Sequence, residues 1–259
     1  MPELGSLIFV VGAILGSFLN VCIYRIPRKI SLLKPRSHCP NCKKLIPVYY
    51  NIPIISWLVL RGKCSNCKSK ISFRYPLVEV LSGLFTLLTF LHFGFTGRFL
   101  TYMIFIYFLI VISFIDIDTN LILNKLVAFM LGFGIVLNLI FKIISWEDAG
   151  LGIIAGGAFM ILVSLIGKLI LRKESLGMGD VKLAAAAGFF LGWKMILFAS
   201  FFGFFLSFLL LIVLMAFGKL HFGQYVPLGP FLSLALITFV YWGDTIVEWY
   251  WNTFLINGI

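Results

Sequence analysis

The sequence predicts an all-α fold, a polytopic bundle of transmembrane helices with one long basic loop. With 61% hydrophobic residues, 12% charged residues and a mean hydropathy of +1.06, the chain is not an ordinary soluble domain. Apolar runs of nearly 20 residues recur along it, and such runs need lipid around them. They are continuous rather than alternating in polarity, which excludes a transmembrane β-barrel.

Eight membrane spans are predicted in chain order. The first apolar run has no basic stretch before it and no small-residue cleavage site after it, so it is interpreted as a retained helix, not a signal peptide. The sixth is short and rich in alanine, and is predicted to pack inside the bundle where small residues allow close helix approach. The spans are 4–24, 77–93, 99–115, 125–142, 150–171, 180–193, 195–217 and 228–248.

Charge predicts the orientation in the membrane. Twelve of the 21 Lys and Arg residues lie in 25–74, and no acidic residue lies between Glu3 and Glu79. Directly after a transmembrane helix, this pattern is typical of a cytoplasmic loop beside anionic lipid, not of a nucleic-acid site. Eight spans then place both termini outside, and put Asp116 and Asp180 at the same cytoplasmic edge.

Those two aspartates are the candidate catalytic residues. Asp116 closes an apolar run in the segment FIDID at 114–118, and Asp180 opens another run at the end of GMGD, 177–180. Placing a carboxylate inside the membrane or at its edge costs several kcal/mol of free energy, so two of them there indicate a functional acid–base pair. Asp118 is a rival for the first position. On a helix it points about 200° away from Asp116, and its simpler interpretation is a solvated surface carboxylate.

The basic loop carries a candidate metal site of two CxxC pairs separated by 21 residues: Cys39 with Cys42, and Cys64 with Cys67. This pattern is typical of a structural zinc site, in which each turn points two sulfurs at one ion. The alternatives are two disulfides, which a cytoplasmic location disfavours, and an iron–sulfur cluster, whose usual spacings are not matched. Cys22, in an apolar helix, is predicted to be an inert buried thiol.

Several segments together resemble the type IV prepilin peptidases, a family of bifunctional leader peptidases and N-methyltransferases. The two cysteine pairs belong to this likeness, and GMGD matches the GxGD motif. One departure is Leu123, which stands where the family usually has proline. The other segments are GSFLNVCIYRIP at 16–27, NIPIISW at 51–57, RGKC at 61–64 and RYPLVE at 74–79.

The resemblance implies a GxGD aspartyl peptidase of the bacterial inner membrane, with Asp116 and Asp180 as its catalytic residues. Its substrates would be type IV prepilins or pseudopilins, whose basic leader is removed before the new N-terminus is methylated from S-adenosylmethionine. By this analogy residues 1–76 form the first helix and a methyltransferase loop, and residues 77–259 form the peptidase domain. No residues are assigned to the methyl donor, because the sequence shows no glycine-rich nucleotide loop.

Helix dipoles suggest how the pair divides its work. Asp180 begins a helix, where negative charge is favoured, and Asp116 ends one, where it is disfavoured. The hypothesis is that Asp180 is mainly the base and Asp116 mainly the acid. Three other functions stay open: a proton-coupled transporter, a zinc-dependent assembly scaffold, and a peptidase without methyltransferase activity. The four cysteines argue against the last of these.

Overall fold

The computed structural model describes residues 2–34, 36–171, 176–218 and 227–256. Contacts within the chain divide it into two compact units, Met1–Phe99 and Leu100–Ile259. Eight α-helices lie in the described ranges: α1 Pro2–Arg25, α2 Ile55–Val59, α3 Arg74–Phe93, α4 Gly97–Thr119, α5 Asn124–Phe141, α6 Trp146–Leu171, α7 Met178–Ala216 and α8 Gly229–Tyr250. Among them, all but the short α2 are long and apolar enough to cross a membrane, which confirms the predicted class of fold.

The sixth and seventh predicted spans lie together in α7, which turns back on itself at Gly192. This residue has non-helical backbone angles, φ 76° and ψ 172°. A Cβ added at Gly156 of α6 would lie 2.5 Å from the Ala184 carbonyl oxygen and 2.9 Å from Ile196 Cγ1. In a straight helix, residues 184 and 196 would be about 18 Å apart. The two segments of α7 are therefore antiparallel, and α7 supplies two of the eight predicted crossings.

In the first unit, α1 and α3 form an antiparallel pair that small residues bring close together. A Cβ at Gly12 would lie 2.9 Å from the Gly83 Cα, and a Cβ at Gly16 would lie 2.9 Å from the Glu79 Cα. Each glycine thus meets the backbone of the opposite helix. The loop that joins these two helices carries the four cysteines of the candidate metal site.

In the second unit, the first segment of α7 is the central element, as predicted for the sixth span. Ala184 and Ala187 are fully buried, and Phe190 stacks on Phe105 of α4 with ring centroids 4.3 Å apart. Gly188 crosses Gly152 of α6 so closely that a Cβ on either residue would overlap the other's backbone carbonyl. This well-packed segment carries Asp180 at its start.

Candidate functional site

Asp116 lies in the last turn of α4 and is only 2% exposed. Its Oδ2 accepts a hydrogen bond of 3.1 Å from the backbone N–H of Gly229, the first residue of α8. Leu228, which precedes the helix, has no side chain able to cap it. The Asp116 carboxylate therefore caps α8 from another helix, 113 residues earlier in the chain.

Asp180 lies in the first turn of α7 and is 4% exposed. The two predicted carboxyl groups, at the end of α4 and the start of α7, are near enough for their charges to interact. Asp180 Oδ1 is buried with no hydrogen-bond partner among the described residues. Two close carboxylates do not readily both ionise, so this arrangement suits a pair that shares one proton.

The GMGD segment is held against the connection between α4 and α5. A Cβ at Gly179 would lie 2.8 Å from Ile122 Cβ, so only a glycine fits this contact without movement. Gly177 has a different environment, because it is exposed and an added Cβ would lie 3.1 Å from Asp180 Oδ2. We conclude that Gly179 serves helix packing, whereas Gly177 leaves open the approach to Asp180.

The rival aspartate lies elsewhere: Asp118 is exposed, as expected for a residue on the opposite side of the helix. Leu123, in the position of the family's usual proline, has φ −76° and ψ 120°. This φ is within the range that the ring of proline itself would fix. The Leu123 carbonyl also accepts the first backbone hydrogen bonds of α5, from Leu126 and Val127. The turn before α5 therefore forms without the proline.

The four loop cysteines form one cluster in the first unit. All are free thiols, and their four Sγ atoms lie within 4.8 Å of one another. Cys39 Sγ and Cys67 Sγ, from different CxxC pairs, are 3.8 Å apart. Four sulfurs at about 2.3 Å from a tetrahedral zinc ion would be separated by about 3.8 Å. The cluster therefore fits a metal ion of this kind, and it contains no disulfide.

The two CxxC turns have the same local structure, a repeat that the sequence interpretation missed. His38 pairs with Leu45 in one turn, and Lys63 pairs with Lys70 in the other, at equivalent positions around the cysteines. The residue after each second cysteine is a lysine with φ 57°. The shared pattern C-x-N-C-K, at 39–43 and 64–68, was the available signal.

The surroundings of two of the four thiols, Cys67 and Cys39, favour the thiolate form that metals bind. The hydroxyl group and the backbone N–H of Ser69 hold the pKa of Cys67 well below its usual range, at about 6. The Ser69 oxygen lies 3.1 Å from Cys67 Sγ. The pKa of Cys39 is also lowered, first by the backbone N–H of Cys42. A divalent cation bound by these thiolates would offset their negative charge.

Sequence interpretation also missed two residues that position these sites. Gly229 was not singled out, although a Gly-Pro pair before an apolar run signals a helix start. Glu79 is buried in α3 and accepts a 2.7 Å hydrogen bond from the N–H of Ile54, which has the unusual φ of 63°. The sequence could have indicated Glu79, because it is the one acidic residue between Glu3 and Asp116.

A helical membrane protein with a buried carboxylate pair at adjoining helix ends has the site expected of a membrane aspartyl peptidase. Comparison with known proteins agrees. The bacterial peptidase A24 N-terminal domain matches residues 10–93, and the type IV leader peptidase family matches residues 103–215. The chain belongs to this family, the peptidase A24 family of type IV prepilin leader peptidases.

Three of the similar curated proteins match over 90% or more of their own length. A prepilin leader peptidase/N-methyltransferase of Aeromonas hydrophila is 34% identical over 96% of this chain and 94% of its own. A protein of the same name from Legionella pneumophila is 36% identical over 91% of this chain and 90% of its own. Another from Bacillus subtilis strain 168 is 34% identical over 95% of this chain and 97% of its own. No solved structure gives a significant match to this chain.

Proposed function

We propose that this protein removes the basic leader of type IV prepilins or pseudopilins and then methylates the new N-terminal amine. The observation that carries the peptidase half is the buried pair of Asp116 and Asp180 at adjoining helix ends. Family membership and the names of the relatives support the same pair of activities.

The proposed cleavage uses one shared proton. The ionised carboxylate takes a proton from water as its oxygen attacks the scissile carbonyl, while the protonated carboxyl donates to the carbonyl oxygen. Exposed Gly177 leaves room for the substrate backbone beside Asp180. The substrate's own apolar helix would lie in lipid, so that only the junction after the leader reaches the pair.

Four thiols in tetrahedral reach support zinc as a structural ion in the loop. Cys39, Cys42, Cys64 and Cys67 would hold it, and the ion would stabilise a loop that has little core of its own. The lysines beside the turns offset the negative charge of four thiolates. S-adenosylmethionine is the proposed methyl-donor substrate, and we place methyl transfer in residues 1–76 and cleavage in residues 77–259.

We also propose that the protein lies in the bacterial inner membrane with the cysteine loop and the aspartates on the cytoplasmic side. Eight crossings, two of them from α7, would place both termini outside. Single cysteines introduced at Asn120 and Ser145 test this arrangement in a variant lacking the loop thiols. The first should react with membrane-impermeant reagents only after the cytoplasmic face is opened, and the second without opening. The reverse pattern would contradict the orientation.

The central experiment incubates detergent-purified protein with a prepilin and measures the shortened product. Wild type should cleave, and Asp116→Asn and Asp180→Asn should each lose cleavage by at least about 1,000-fold, since each removes one member of the pair. Both substitutions keep the size of the side chain, and Asp116→Asn keeps an oxygen that can cap α8. Near-normal cleavage by either variant would refute the aspartyl mechanism, and a transporter would give no product at all.

A second assay tests the division between the two activities. Mature pilin and a labelled methyl donor are supplied to Asp116→Ala, which should still transfer the methyl group although it does not cleave. Cys64→Ser should lose methyl transfer first. If both variants lose both activities together, the two functions share one structure and the proposed division is wrong.

A further inference from the structure

The first turn of α8 has a backbone hydrogen-bond pattern that bears on the protonation state of Asp116. Phe231 N–H and Leu232 N–H both donate to the Leu228 carbonyl, at 3.0 and 2.9 Å. Pro230 has no N–H to donate. The Gly229 N–H is left for a partner outside the helix, and it donates to Asp116 Oδ2. The positive end of the α8 dipole therefore faces this carboxylate.

The approach is close enough that only glycine fits at this position. A Cβ on residue 229 would lie 2.6 Å from Asp116 Oδ2 and 3.1 Å from its Cγ. Either the carboxylate or the start of α8 would have to move to admit it. Gly229 therefore does more than begin a helix, because it sets the distance between the backbone N–H and the carboxylate.

Asp180 has the complementary environment. The backbone amides of Gly177 and of Asp180 itself lie near its carboxyl group, and Gly177 lies on the side of Oδ2. Oδ1, by contrast, is buried and has no partner in the described ranges. A buried lone oxygen of an ionised carboxylate is costly, whereas a protonated Oδ1 needs only one acceptor. The charge of an ionised Asp116 also opposes a second negative charge on Asp180.

We propose that Gly229 is a positioning residue whose backbone N–H holds Asp116 as the ionised member of the pair and leaves the shared proton on Asp180 Oδ1. This inference rests on the proposed peptidase function and names the role of each carboxylate in it. It reverses the assignment expected when each aspartate is considered only with its own helix.

The proton balance follows directly. Asp116 takes one proton from water as the water oxygen bonds to the scissile carbonyl carbon, and Asp180 gives its proton to the carbonyl oxygen. When the C–N bond breaks, the leaving amine takes the proton held by Asp116. Asp180 recovers its proton from the hydroxyl group as the carbonyl forms again. The enzyme returns to its initial state, and one water has been consumed.

Infrared spectroscopy of purified protein at neutral pH tests the proton's position without relying on activity. Relative to wild type, the signal of a protonated carboxyl group should be lost in Asp180→Asn and kept in Asp116→Asn. Any other pattern in these two variants overturns the assignment. Failure of wild type to cleave a prepilin would instead overturn the proposed function, so the two failures are distinguishable.

Gly229→Ala tests the role of the amide itself. Its kcat for cleavage should fall by roughly 100-fold with KM within about twofold, because the added Cβ displaces the carboxylate but not the bound substrate. When Gly229→Ala is added to Asp180→Asn, the protonated carboxyl signal should return, since Asp116 no longer has its donor. A simple packing defect would not restore it.

Gly243→Ala is the matched control. It lies on the same helix about 21 Å further along, and its Cβ would meet the flexible end of Met195, 2.8 Å away. This variant should change kcat by less than about threefold and should restore no carboxyl signal in the Asp180→Asn background. If Gly229→Ala behaves like Gly243→Ala in both measurements, Gly229 has no positioning role.

Discussion

Replacing Gly152 by alanine tests whether the crossing of α6 and α7 positions the candidate active site. The Cβ of Gly152→Ala would overlap the Gly188 carbonyl oxygen and would lie 2.7 Å from the carbonyl carbon. Both contacts are with backbone, which has no alternative rotamer. Gly157→Ala, on the same helix, would make only an ordinary 3.5 Å contact with Ala185 Cβ. The two substitutions are chemically identical and differ only in the space available.

The size of the effect follows from this geometry. Non-bonded carbons prefer separations of about 3.5–4.0 Å, so α6 and the first segment of α7 must separate by roughly 1 Å. Overpacking of this kind costs about 1–3 kcal/mol in stability. Asp180 lies on the same rigid segment, about 12 Å from Gly188. A displacement of about 1 Å between the carboxylates should lower kcat for leader cleavage by roughly 100-fold.

The assay compares thermal unfolding and cleavage kinetics of the two variants with wild type in detergent. Gly152→Ala should unfold at a lower temperature and lose most of its kcat. Gly157→Ala should keep its kcat and should be equally or slightly more stable, because alanine is favoured over glycine within helices by about 0.5–1 kcal/mol. Equal behaviour of the two variants in both measurements would refute the conclusion that this crossing determines the site.

Three further predictions concern other features. Elemental analysis should show that Cys67→Ser has lost most of its bound zinc, whereas Cys22→Ser, outside the cluster, has kept it. Wild-type protein that is purified without chelators and contains no metal would refute the zinc site. Asp118→Asn should cleave prepilin within about threefold of wild type because Asp118 is exposed, and complete loss would move the first catalytic position to it. Gly192→Ala should lower the unfolding temperature, since its φ of 76° with ψ of 172° costs other residues about 1–3 kcal/mol, and unchanged stability would contradict the turn.

The parts of the fold that local patterns determine could be predicted from the sequence. Apolar length fixes which segments enter lipid, and this predicted the helical spans. Two CxxC turns bring their sulfurs together because each pair is fixed by a short local turn, and the structure places all four within reach of one ion. Leu123 stands where the family usually has proline, and the turn forms all the same because leucine here adopts the φ range that proline would impose.

Features that depend on distant segments could not be predicted in this way. Nothing in the local sequence distinguishes Gly192 from Gly188, four residues earlier, as the site of a turn. In the structure the chain turns at Gly192, whereas Gly188 meets Gly152 at a helix crossing. Which glycine does which is decided by the partner helix. The same holds for Glu79, whose hydrogen-bond partner at Ile54 lies 25 residues away.

The aspartates show why the roles of a catalytic pair are harder to predict than its members. Composition and depth identify Asp116 and Asp180, because few carboxylates occur in such surroundings. Which of the two carboxyl groups holds the proton depends on single hydrogen-bond donors. The donor to Asp116 is the backbone N–H of Gly229, 113 residues further along the chain. A dipole argument confined to α4 places the negative helix end at Asp116 and misses the positive end of α8 that faces it. Electrostatic assignment of the pair therefore requires the tertiary contact, and the infrared comparison of the two asparagine variants decides between the local and the tertiary argument.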